Sequence, residues 1–159
     1  MSKIPQSLKE CFYRALNFWQ GGNYAEENGG LQIAVGLWIL AIEEIGKYVL
    51  LKEASVGRDP NAVLEISKST FKSHRIKSEK GQGQFKKWGI DLGLAGIPLT
   101  NETREGLWYV AWDDKVQQFK RAFTILDPGA ITKTEVLGEL MRKGLNKMHE
   151  LQRSSVGSQ

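Results

Sequence analysis

Cysteine and histidine are nearly absent from this chain. Its 159 residues include one cysteine and two histidines, at Cys11, His74 and His149. One thiol forbids an intrachain disulfide and a cysteine-rich zinc site. Two imidazoles leave little for any other metal centre, so neither a metal nor a cofactor is expected. A lone cysteine fits a reducing cytoplasm. Long apolar runs are missing too. The segment from Leu31 to Ile42 is apolar on nearly every side, but Glu43, Glu44 and Lys47 interrupt it before the ~20 residues of a membrane span accumulate. The N-terminus, Met1-Ser2-Lys3-Ile4-Pro5, runs straight into an amphipathic pattern and reads as no signal peptide. No P-loop, G-x-G-x-x-G, H-E-x-x-H or G-x-S-x-G motif occurs, so P-loop hydrolases, zincins and α/β-hydrolases are not supported.

What remains is ordinary for a soluble domain: 41% hydrophobic and 25% charged residues in 17.9 kDa. A chain of this size buries a core without staples. We read one domain over 1–153, followed by a frayed tail, 154–159.

The net charge of +4 is modest, but its distribution is not. Between Lys68 and Lys87 stand Lys68, Lys72, Arg75, Lys77, Lys80, Lys86 and Lys87 against a single acid, Glu79. The remainder of the chain is slightly acidic. Such a segment is a candidate for phosphate contacts by Lys68, Lys72, Arg75, Lys80, Lys86 and Lys87, or simply a solvated basic face.

Helical periodicity dominates. Leu8, Cys11, Phe12, Ala15, Leu16 and Trp19 mark a first helix over 6–19, with Gly21-Gly22 as its stop. A second, centrally buried helix is predicted over 31–54. Pro60 suits the start of a third, about 60–78, followed by a polar Gly-Gln-Gly-Gln loop. Thr100 or Asn101 can cap a helix running to about 124. Thr132-Lys133-Thr134-Glu135 reads as a capping box for a last helix, about 133–152. Strand signals are scarce, so the expected fold is an all-α bundle of five or six helices.

Three constellations carry candidate chemistry. On the central helix, Glu44 and Lys47 share a stripe with Ile33, Leu37, Leu40 and Leu51. A charged pair on a core-facing stripe needs partners; otherwise it is an i,i+3 ion pair emerging into water. In Phe71-Lys72-Ser73-His74-Arg75-Ile76-Lys77, His74 and Lys77 share a helical face. Cations around His74 favour neutral imidazole, which suits a general base beside a phosphate. In Arg104-Glu105-Gly106-Leu107-Trp108-Tyr109-Val110, Arg104 and Tyr109 carry polar ends that need partners, while Trp108 and Trp112 read as core.

These segments, taken in order, resemble a known family. Ala41-Ile42-Glu43-Glu44-Ile45-Gly46-Lys47 resembles the "AIEExGK" signature of AbiV-type abortive-infection proteins, a branch of the HEPN superfamily. The His74 segment resembles that family's "F-x-x-H-x-x-K", and the Arg104 segment its "R-x-x-(G/S)-L-Y-V", here with an extra aromatic residue. The similarity spans roughly residues 8–125. It implies an HEPN-like helical bundle, usually a homodimer, acting in bacterial antiphage defence, with metal-independent ribonuclease activity frequent among relatives. The family positions carried over are Glu43, Glu44, Lys47, His74, Lys77 and Arg104. Arg142 and His149 also match one spacing of the HEPN R-x4-6-H motif, a pattern short enough to arise by accident.

The expectation is therefore a cytoplasmic antiphage protein binding RNA or a translation component. His74 would act as base, Lys77 and Lys47 would stabilise phosphorane charge, and Glu44 would orient Lys47 or His74. Glu43, Arg104 and Tyr109 would support them. The alternative is a non-catalytic helical module that binds a phage or host protein. Neither reading needs a membrane.

Overall fold

The computed structural model describes residues 4–56, 72–108, 111–113, 118–120 and 128–156. Among the described residues five helices dominate: α1 (Ile4–Glu27), α2 (Leu31–Ser55), α3 (His74–Lys87), α4 (Asn101–Trp108) and α5 (Pro128–Val156). A short 3-10 turn, Leu92–Ala95, links α3 to α4. After α4 comes an antiparallel pair, β1 (Ala111–Asp113) and β2 (Gln118–Lys120), with Trp112 opposite Phe119. Among the described residues the architecture is an all-α bundle with this small ladder.

Helix α2 is the central element, as its apolar composition requires. Ala34, Val35, Trp38, Ile39, Ala41 and Ile42 are fully buried. Trp19 of α1, Phe85 of α3 and Leu137 and Met141 of α5 close the core around it. The Trp19 and Phe85 rings lie 5.3 Å apart. Ile33 departs from the stripe drawn from sequence, being 55% exposed at the first turn.

Several boundaries differ from those read off the sequence, and glycine explains two of them. Helix α1 runs through Gly21-Gly22 because Gly22 packs against α2: a Cβ there would stand 2.5 Å from the Trp38 ring. The close approach offsets the roughly 1 kcal/mol cost of glycine in a helix. The chain leaves α1 at Gly29, with φ 77. Gly30 N–H donates to the Ala25 carbonyl at 2.7 Å and Gly29 N–H to Glu26 at 3.0 Å, the Schellman pattern.

The Gly-Gln-Gly-Gln segment is likewise not a loop but the middle of α3. Gly81 presses on α2, where a Cβ would meet the Ile42 carbonyl oxygen at 2.1 Å. Ser73, rather than Pro60, caps the helix that carries His74, its Oγ accepting from Ile76 N–H at 3.3 Å. Pro60 and Lys68 lie outside the described residues. Thr100 does cap α4, accepting from Thr103 N–H at 3.2 Å. That helix stops at Trp108 instead of reaching 124, and β1 begins at Ala111. The last helix starts at Pro128, which needs no N–H partner at a first turn. Thr134 is thus interior to α5, fully buried and donating to the Ala130 carbonyl. Helix α5 also continues through 154–156, into the segment read as tail.

Candidate functional site

Two glycines bring α2 and α3 into backbone contact. A Cβ on Gly46 would stand 1.8 Å from the Lys77 carbonyl oxygen, which complements the Gly81–Ile42 contact one turn along. This crossing places the charged residues of α2 against those of α3. A buried bond from Ser78 Oγ to the Leu99 carbonyl, at 2.5 Å, then ties α3 to the segment entering α4. Gln82 Nε2 donates to Ser78 Oγ at 2.9 Å and completes the strut.

At the junction of these three helices, one oxygen gathers a histidine and two cationic side chains. Glu43 Oε2 lies 2.9 Å from His74 Nδ1, 3.8 Å from Lys77 Nζ and 3.8 Å from Arg104 Nη1. The Glu43 side chain is 4% exposed and that of Lys77 6%. His74 is the outermost member, at 41%. A carboxylate only accepts, so Nδ1 carries a proton towards Glu43, and in the neutral ring Nε2 holds the lone pair. Asn101 Oδ1 accepts a short hydrogen bond from Arg104 Nη2, which fixes the guanidinium.

Glu44 and Lys47 form a second pair on the neighbouring face of α2, with Lys47 Nζ 2.5 Å from Glu44 Oε1. Lys47 is partly exposed and Glu44 buried. The sequence stripe pointed to Glu44 as the neighbour of His74; the structure puts Glu43 there. Adjacent helical residues point about 100° apart, and it is Glu43 that faces α3 and α4. Among the described residues, Glu43 Oε1 and Glu44 Oε2 are buried without a hydrogen-bond partner.

Burial pushes the Lys77 ammonium below its ordinary value, against the opposing pull of Glu43. Burial likewise pushes the Cys11 thiol up to about 11, with Glu44 adding to the effect. Glu102, at the first turn of α4, is held below the usual carboxylate value by a backbone N–H, the Thr100 hydroxyl and His74.

The structure thus brings together Glu43, His74, Lys77 and Arg104, with Glu44 and Lys47 beside them. The remaining candidates are spread out. Lys72, Arg75, Lys86 and Lys87 are exposed along α3 and its entry. Arg75 pairs with Glu79 at 3.6 Å and Lys80 with Glu53 at 2.7 Å. Tyr109 lies outside the described residues. Arg142 pairs with Glu26 of α1 at 2.5 Å, and His149 is half-buried two turns further along α5. Sequence reasoning missed Asn101 and Ser78 as positioning residues. Asn101 stood only as a possible cap; its i,i+3 spacing to Arg104 was the available signal.

The fold is a helical bundle whose central helix presents Glu43 to a histidine and two cations on neighbouring helices. The family model described as AbiV, of the HEPN class, matches residues 3–137. The chain belongs to the AbiV family. No curated protein and no solved structure matches it. Among the described residues no helix is long and apolar enough to cross a membrane, and no group of His, Cys, Asp and Glu is arranged to hold a metal ion.

Proposed function

We propose that this protein is an abortive-infection factor that binds RNA and cleaves it without a metal, acting as a homodimer in the bacterial cytoplasm. The observation that carries the reading is the contact between His74 Nδ1 and Glu43 Oε2, with Lys77 and Arg104 on the same oxygen. Glu43 orients the ring so that Nε2 faces outward as a base. Nε2 takes the proton of a ribose 2′-OH. The O2′–P bond forms, the P–O5′ bond breaks, and the leaving oxygen takes a proton from water. Arg104 and Lys77, behind the ring, supply positive potential to the phosphorane in a region of low dielectric. Glu44 holds Lys47 beside them and adds to that field. Lys72, Arg75, Lys80, Lys86 and Lys87 supply the phosphate contacts, with Lys68 upstream.

The test is incubation of end-labelled RNA with the purified protein in EDTA. A 2′,3′-cyclic phosphate product that disappears in His74→Ala, with RNA binding retained, supports the reading. RNA binding without cleavage removes the nuclease role. Neither binding nor cleavage, with antiphage activity intact, leaves a module that acts by binding a phage or host protein, or part of the translation machinery.

A further inference from the structure

Helix α1 turns one side to the core and leaves the other open. It buries Ala15, Leu16, Trp19 and Gly22. On the opposite side Tyr13, Asn17, Gln20 and Tyr24 follow at spacings of four, three and four, so they form one stripe about 16 Å long. All four are exposed and uncharged. Tyr13 is 54% exposed and Tyr24 70%. Phe12 braces the Tyr13 ring edge-on, with centroids 6.1 Å apart. The outer faces of α3 and α5 differ: they carry the intrahelical ion pairs Arg75–Glu79, Lys143–Glu139 and Lys147–Glu150.

The charges at the ends of the stripe select what covers it. Lys9 lies beyond Tyr13 and Glu27 beyond Tyr24, and both are exposed. Their separation of 18 residues is five full turns, so they flank the stripe on the same edge. Among the described residues neither takes part in an ion pair. A two-fold axis passing between residues 18 and 19, perpendicular to α1, runs a second α1 antiparallel to the first and sets each edge beside its own copy. Tyr13 then faces Tyr24 of the second copy, Asn17 faces Gln20, and Lys9 comes against Glu27, each contact made twice. A parallel arrangement would instead set lysine on lysine and glutamate on glutamate, which repel. A tyrosine at each end supplies the aromatic anchor typical of a protein interface.

We infer that this face of α1 is the homodimer interface, with two copies packing α1 antiparallel on α1 and Lys9 of each against Glu27 of the other. The inference rests on the dimer reading above, to which it adds the surface and the register. It does not depend on RNA cleavage.

The test is analytical ultracentrifugation of the full chain across a concentration series at low salt. Lys9→Glu and Glu27→Lys should each weaken dimerisation at least about fivefold, because each sets like charges at both ends of the interface. The combined Lys9→Glu/Glu27→Lys variant should return to within about twofold of wild type, since both pairs re-form with their signs exchanged. Misfolding cannot produce that recovery. Tyr13→Ser/Tyr24→Ser should weaken the dimer at least about tenfold, at low and high salt alike. Unchanged dimerisation in all four variants would place the interface elsewhere and overturn the inference while leaving the dimer reading intact. So would a combined charge variant as weak as the single ones. A wild-type protein that stays monomeric at every concentration overturns the dimer reading itself, and this interface with it.

Discussion

His74 and Glu43 are 31 residues apart in sequence, and their side chains meet at 2.9 Å. The contact joins the first residue of α3 to the middle of α2, and it depends on a helix crossing close enough to exclude a Cβ. The carboxylate, the crossing and the buried ionisable groups can each be perturbed separately.

Removing the carboxylate should be costly. Glu43→Gln leaves Lys77 and Arg104 without the charge that compensates their burial. The expected loss is about 3 kcal/mol, since breaking a buried ion pair from one side strands the remaining charge. Lys80→Ala breaks the exposed pair with Glu53 and should cost under ~0.5 kcal/mol. Urea unfolding of both variants decides the comparison.

The α2–α3 crossing gives a sharper contrast between two glycines. Gly46→Ala sets a methyl group against the Lys77 carbonyl, whereas nothing lies within 4 Å of a Cβ on Gly83. Gly46→Ala is expected to destabilise by more than ~2 kcal/mol through forced separation of the helices. Gly83→Ala should stabilise by about 0.5–1 kcal/mol through helix propensity alone. Thermal melts with opposite signs of shift would bear this out; two shifts of the same sign would not.

Cys11 should be a poor nucleophile. Its thiol is raised from 9.0 to about 11, so at pH 8 it holds roughly 100-fold less thiolate than in the unfolded chain. Alkylation by iodoacetamide should be correspondingly slow until denaturant is added. Between those two values the folded state binds more protons than the unfolded one. Stability contributed by the thiol therefore falls as pH climbs through that window.

Lys77 works in the opposite sense. Its lowered value means the unfolded chain binds more protons between that value and 10.5. The stability of the wild type relative to Lys77→Met should therefore rise with pH through this range. Paired urea titrations from pH 7 to 10 measure it, and a difference that stays flat or declines would place the ammonium outside the buried cluster.

Arg142 and His149 offer a check on where the chemistry resides. Arg142 is engaged with Glu26 at 2.5 Å on the α1–α5 side. If the reaction belongs to His74, Arg142→Gln and His149→Gln should each retain cleavage within about threefold of wild type, whereas His74→Gln should lose at least 100-fold, the usual range for a missing general base. Cleavage lost in His149→Gln and kept in His74→Gln would reverse the assignment.

Sequence alone determined the all-α class and the extent of α2, because an uninterrupted apolar face needs no tertiary information to require burial. It also marked the family's residues, and it named Glu43, His74, Lys77 and Arg104 as candidates. It misjudged the glycines. A glycine looks the same in sequence whether it ends a helix or lets another backbone approach, and only the packed partners, Trp38 for Gly22 and Ile42 for Gly81, distinguish the two. The choice between Glu43 and Glu44 was tertiary for a related reason. The two differ by one step of about 100° around α2, and which one meets His74 was decided by where α3 crosses and where the Ser78–Leu99 bond anchors the entry to α4.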